Sequence, residues 1–284
     1  MSGRYLTDMA DVLRRAGLAV VELDGWQTRA RSSGGYADGG PWCVMLHHTA
    51  SAGNGAQDAH YCTFSSSDKP VCNLVLGRDA VVHVCAAGAT NTNGKGGPWT
   101  LSNGRVVSAD TMNTRAIGIE MSNAGTGMPY PAPMVDAMFT LIEALAGAYL
   151  GGDVTLLCQH VDWAPTRKID PATGAAVEGL WRPSTTNSSG SWRLADTVAE
   201  AQRRAGGTTP TPTPPPGGDD VEKYLVRDTD GWPWVTDFAS YATQITEEQA
   251  SDGVNMRGYV KGADNHPFPL SPSDSDLMRR LAAK

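Results

Sequence analysis

CVMLHH, residues 43–48, is the stretch on which the fold turns. Cys43-Val44-Met45-Leu46 is a short apolar run with the length and composition of a buried strand, and it runs directly into His47. A strand turns consecutive side chains to opposite faces, so only one of His47 and His48 can point at a shared site. Further along, AIGIEM (116–121) alternates like a strand and carries Glu120 near its end. Residues 154–158 read as another strand, delivering Gln159 and His160. Residues 73–76 and 81–84 form a strand pair joined by the turn Gly77-Arg78-Asp79-Ala80.

Helical patterns separate these runs. Leu6, Met9, Val12 and Leu13 fall on one helical face, and Gly17 is placed to end it. An apolar helix is expected from about 133 to 150, stopped by Gly151-Gly152. Ser191 is the expected N-cap of a last helix, with Leu194, Val198 and Ala201 on one face and Gly206-Gly207 at its end. Helices alternating with strands predict an α/β fold.

The tract TTPTPTPPPGGDD (208–220) favours extended polyproline II and cannot join a core. It is read as a linker between a large domain, 1–207, and a small one, 221–284. The small domain opens on a hairpin signal, Tyr224-Leu225-Val226 and Trp234-Val235-Thr236 around residues 228–231. Thr246 to Gln249 resembles a capping box and residues 274–283 a terminal helix, which makes this an α+β domain. Its aromatic residues suit either stacking on sugar rings or a small core, so wall targeting and oligomerisation both stay open.

The whole chain has 284 residues, 40% hydrophobic and 19% charged, the composition of an ordinary globular protein. A formal net charge of −7 without any basic run argues against a nucleic-acid partner. The longest apolar stretch contains Asp136 and Glu143, so no membrane span is expected. The N-terminal MSGRYLTDMADVLRRAGL shows no secretory signal, which leads to the expectation of a protein held in the cytoplasm. Cys43, Cys85 and Cys158 are expected as buried thiols. Cys62 and Cys72 are near enough to meet across a loop, but a bridge is not expected in that compartment.

His47, Glu120 and His160 are three metal-binding or acid–base side chains at strand ends, where a sheet can make them converge. A catalytic zinc needs three protein ligands and an open position for water, and His47, His160 and Asp170 make such a set. Glu120 would take the water's proton and Lys168 would steady a developing oxyanion. Asp162, two residues from His160, is a rival carboxylate ligand or a hydrogen-bonding support. His48, His60, His83 and His266 are read as ordinary hydrogen-bonded histidines.

The segments VMLHHTAS (44–51), LVLGRDAVV (74–82), AIGIEMSN (116–123) and QHVDWAPTRKIDP (159–171) together resemble the type 2 N-acetylmuramoyl-L-alanine amidase family, which includes peptidoglycan-recognition proteins. The resemblance spans roughly residues 40–185. It implies a central mixed β-sheet flanked by helices and Zn2+ held by His47, His160 and Asp170. It implies Glu120 as general base, Lys168 as the oxyanion's partner and peptidoglycan as substrate. Arg167 is a further candidate, for a stem-peptide carboxylate. The sequence departs from the family pattern at Asn73, where relatives carry His, at Ala80, where the turn usually has Gly, and in AAGATNTNGKGGPW (86–99), which lacks a histidine. The implied activity is hydrolysis of the amide between N-acetylmuramic acid and L-alanine. A zinc-free wall-binding module and a stem-peptide endopeptidase are the alternatives. The linker, the tail and the missing signal peptide together suggest a bacteriophage endolysin, accumulating in the host cytoplasm and reaching the wall through a breached membrane; a bacterial autolysin or recycling amidase is the alternative.

Overall fold

The apolar run at 43–48 and the alternating run at 116–121 become the two central strands of one sheet in the computed structural model. The structure describes residues 3–172 and 181–206, together with the strand residues 223–227, 233–236, 242–244, 259–260 and 268–269. In chain order the strands are β1 (Ala19–Glu22), β2 (Cys43–His48), β3 (Leu74–Leu76), β4 (Val81–Val84), the short pair β5 (Trp99–Thr100) and β6 (Val106–Val107), β7 (Ala116–Met121) and β8 (Leu157–Gln159). The helices are α1 (Met9–Arg15), α2 (Gly55–His60), α3 (Ala132–Tyr149), the single turn α4 (His160–Trp163) and α5 (Leu194–Ala205).

Six strands form a mixed sheet in the order β1-β4-β3-β7-β2-β8. The run β3, β7, β2 and β8 is parallel, β4 is antiparallel to β3, and β1 is parallel to β4. Central parallel strands are buried on both faces, which explains why β2 and β7 are buried along their whole length.

Register divides the side chains cleanly. Leu46, Ile119 and Leu74 stand in line on one face and join the main core with α1 and α3. There α3 buries Met138, Phe139, Leu141, Ile142 and Leu145 among others, each large side chain contributing about 1.5–3 kcal/mol. The helix stops where Gly151 and Gly152 adopt positive φ, with Gly152 N–H donating to the Ala146 carbonyl. The opposite face carries Met45, His47, Gly118, Glu120, Val75 and Cys158. Two smaller clusters flank that face, one around Met45, Cys158 and Trp163, the other around Val75, Cys62, Cys72 and Cys85.

Asn73, the first departure from the family pattern, is a fully engaged brace. Its Nδ2 donates to the carbonyls of Ala86 and Gly88, and its Oδ1 accepts from Gly118 N–H and Thr90 Oγ1. Ala80, the second, sits at φ +63°, a left-handed conformation that glycine adopts without steric cost.

Two local expectations need correction, on the strand over 154–158 and on the cap of α5, while the expectation of unbridged thiols holds. The strand expected over 154–158 is confined to β8, because Asp153 accepts from both the backbone and the side chain of Thr155 in a turn. His160 therefore opens a helical turn one residue past the strand. Ser191 does not cap α5: its Oγ donates to the Ile169 carbonyl, and Arg193 holds the cap position without a side-chain bond. All five cysteines are buried and unbridged.

The chain divides into two compact units, Met1–Gly207 and Thr208–Lys284. In the second, β9 (Lys223–Arg227) pairs antiparallel with β10 (Pro233–Thr236), and β10 with β11 (Ala242–Gln244). The short β12 (Tyr259–Val260) and β13 (Phe268–Pro269) pair parallel with β9. The helices expected near 246–249 and 274–283, the linker tract and His266 lie outside the described residues.

Candidate active site

At the carboxyl ends of β2, β7 and β8 the fold gathers the side chains singled out above. His47 and Glu120 are register partners on adjacent parallel strands, so their Cα atoms lie about 4.8 Å apart and their side chains share a face. His160 follows β8 directly. Asp170 arrives on a loop fixed from several sides. Its own carbonyl accepts from Val161 N–H, the Pro171 carbonyl accepts from Trp192 N–H, and Ala172 N–H donates to His48 Nδ1.

His47 Nδ1 lies 2.8 Å from His160 Nδ1 and 3.1 Å from Asp170 Oδ2, and His160 Nδ1 is 2.9 Å from the same oxygen. All three residues are buried, and they form the one group among the described residues able to offer three ligand atoms to a metal ion. The second imidazole nitrogens face a single residue. His160 Nε2 is 3.0 Å from the Asn93 backbone carbonyl, and His47 Nε2 is 3.3 Å from Asn93 Oδ1.

The donor set fits a cation. A backbone carbonyl only accepts, so neutral His160 must carry its proton on Nε2 and turn a lone pair at Nδ1 toward the cluster. A lone pair 2.9 Å from a carboxylate oxygen is repulsive, and a cation between the two relieves that repulsion. Two imidazoles and one carboxylate suit zinc, with a place left for water.

Electrostatics favours the ligand-competent forms. Burial, reinforced by His160, pushes His47 down to about 4, so it is neutral at pH 7. Burial alone would raise the Asp170 carboxyl, but His160 and His47 beside it outweigh burial and hold it below the usual carboxylate range. Between about pH 4 and 6.5 the unfolded chain protonates His47 and the folded chain does not, so the metal-free protein gains stability as pH rises through that window. His47 is expected to contribute roughly 3 kcal/mol of this. Thermal melts in chelator should show it, with a flatter profile for His47→Asn; a flat wild-type profile would contradict it.

Glu120 is buried, and its Oε2 has no hydrogen-bond partner among the described residues. Burial and then the nearby Asp170 carboxylate raise its pKa well above the ordinary glutamate value, with the Lys168 ammonium partly offsetting them. Lys168 is half-buried at the end of a turn in which the Ala164 carbonyl accepts from both Arg167 and Lys168 N–H. Arg167 is exposed, and its Nη2 donates to the carbonyls of Lys95 and Asn93.

Two other residues weighed in the sequence stand apart from the cluster. His48 faces the opposite side of the sheet, where its Nδ1 is bonded by Ala172 N–H and faces Tyr130 Oη at 3.3 Å. Asp162 is half-buried outside the cluster, its carboxyl pushed up to about 6 by burial. Sequence reasoning missed Asn93 and Asn113, whose Oδ1 accepts from the backbone N–H groups of Asn93 and Gly94. An Asn in a Gly-rich loop reads as a turn residue, and nothing local marks it otherwise.

Fold and site define an α/β protein with one buried His-His-Asp cluster at the carboxyl edge of a mixed sheet. Residues 38–173, within the N-terminal unit, match the family model described as N-acetylmuramoyl-L-alanine amidase. No curated protein is significantly similar in sequence. Among solved structures, a selenomethionine derivative of AmpD is 18% identical with a TM-score of 0.39, over 55% of this chain and 88% of that one. AmiD from E. coli, in complex with the substrate anhydro-N-acetylmuramic acid-L-Ala-D-γ-Glu-L-Lys, is 18% identical with a TM-score of 0.37, over 64% and 78%. A Drosophila PGRP-LB variant in complex with tracheal cytotoxin is 14% identical with a TM-score of 0.36, over 56% and 92%. The assignment rests on the family match. No helix among the described residues is long and apolar enough to cross a membrane.

Proposed function

We propose that the N-terminal unit is a zinc-dependent amidase that hydrolyses the bond between N-acetylmuramic acid and the L-alanine of peptidoglycan. The observation that carries this reading is the convergence of His47 Nδ1, His160 Nδ1 and Asp170 Oδ2 beside Glu120. A zinc ion held by those three residues would lower the pKa of a water molecule and polarise the scissile carbonyl. Glu120, made more basic by burial, would take the proton of the attacking water and return it to the leaving L-alanine nitrogen. Lys168 would place positive charge against the developing oxyanion. Asp170 stays ionised throughout, because the imidazoles hold its carboxyl low.

The test is mass spectrometry of purified peptidoglycan digested by the full chain, with and without chelator. New L-alanine amino termini on intact glycan, lost in chelator, are expected. Opened cross-links within the stem peptides would replace this reading with an endopeptidase. Binding without any product would replace it with a wall-recognition module.

An endolysin role is part of the same proposal. It is supported by the Pro/Thr tract joining two compact units, an arrangement suited to a catalytic part and a targeting part. The enzyme would accumulate in the host cytoplasm and reach the wall once the membrane is breached. Unit Thr208–Lys284 would then supply wall affinity. The full chain should co-sediment with cell walls roughly tenfold more strongly than a chain ending at Gly207. Equal binding would remove the targeting role.

A further inference from the structure

We propose that Asn93 is a positioning residue that sets both imidazoles of the cluster in the metal-ready tautomer, one through its backbone and the other through its side chain. This rests on reading the cluster as a metal centre. A neutral imidazole carries one N–H, and the partner of one nitrogen decides whether the other offers a lone pair. The Asn93 backbone carbonyl accepts from His160 Nε2 at 3.0 Å, and Asn93 Oδ1 accepts from His47 Nε2 at 3.3 Å. Both Nδ1 atoms are thereby left as lone pairs, 2.8 Å apart and facing Asp170 Oδ2.

The loop is built to hold Asn93 there. Gly118 lets it descend onto the sheet, since a Cβ at that position would lie 2.3 Å from Thr92 Oγ1. Asn113 Oδ1 accepts from Asn93 N–H at 2.8 Å, and Arg167 Nη2 donates to the Asn93 and Lys95 carbonyls. Arg167 thus ties the Asn93 loop to the segment that carries His160, Lys168 and Asp170.

The Asn93 amide is not chosen for packing alone. The residue is buried, and its Nδ2 has no hydrogen-bond partner among the described residues. An apolar side chain of similar volume would avoid that cost but would leave His47 Nε2 without an acceptor. The His47 proton would then move to Nδ1, where Asp170 Oδ2 at 3.1 Å accepts it and where it competes with the metal.

Asn93→Leu is therefore expected to weaken zinc binding about 10–100-fold in a chelator competition on the full chain, with little loss of melting temperature. Asn93→Asp, which keeps the acceptor, is expected to restore affinity. Imidazole 15N spectra of metal-free protein should show His47 and His160 with Nε2–H in the wild type. In Asn93→Leu only His47 should shift toward Nδ1–H, since His160 bonds to the backbone. Wild-type zinc affinity in Asn93→Leu, or an Nδ1–H His47 in the wild type, would overturn the assignment. A wild-type chain that binds no zinc would instead remove the metal reading, and the His47 tautomer would still decide the role of Asn93.

Discussion

Glu120→Gln should leave zinc bound at the wild-type stoichiometry while lowering kcat by about two to four orders of magnitude, the usual contribution of a positioned general base. The substitution keeps the shape of the side chain and removes only its ability to accept a proton. Glu120 reaches the site because it is the register partner of His47, and its Oε2 has no partner among the described residues that would occupy it. Its raised pKa, caused first by burial and then by Asp170, makes it a stronger base than an exposed glutamate. KM should change little, because the loss falls on the chemical step. Metal analysis beside single-turnover hydrolysis of a muropeptide checks both halves. A Gln variant that keeps wild-type turnover would assign the proton transfer to another group.

His160→Ala should give the opposite pattern, with zinc and activity lost together. Two remaining ligands do not hold a catalytic ion against dialysis when three define the site. Turnover should fall to the uncatalysed background, a larger loss than in Glu120→Gln, because the Lewis acid is lost as well as its water. The variant also leaves the Asn93 carbonyl with one donor fewer, so its fold is to be checked by thermal melting. Full zinc occupancy in a folded His160→Ala would remove His160 from the ligand set.

Legible in the sequence were the features set by short-range apolar pattern. CVMLHH has the apolar run and length of a buried strand and AIGIEM the alternation of one, which fixes His47 and Glu120 on a common face once the strands pair. Gly151-Gly152 marked the end of α3, and both residues adopt the positive φ that favours glycine there. The sheet order β1-β4-β3-β7-β2-β8 was not legible, because parallel partners such as β2 and β8 lie more than a hundred residues apart. Nor was β1, an edge strand whose largely exposed residues lack a buried-face pattern. Asp170 rested mainly on the resemblance, since a carboxylate before proline reads equally as a turn. Its place in the cluster depends on bonds from Val161, Trp192 and Ala172, and Ser191 was misread as a cap because its true partner is the distant Ile169 carbonyl. Asn93 was invisible for the same reason: its partners are side chains 46 and 67 residues away.

Elemental analysis of the purified full chain, dialysed against metal-free buffer, tests the central claim most directly. About one zinc ion per folded chain is expected. A folded chain that contains no zinc and takes up none on incubation with the metal would contradict it.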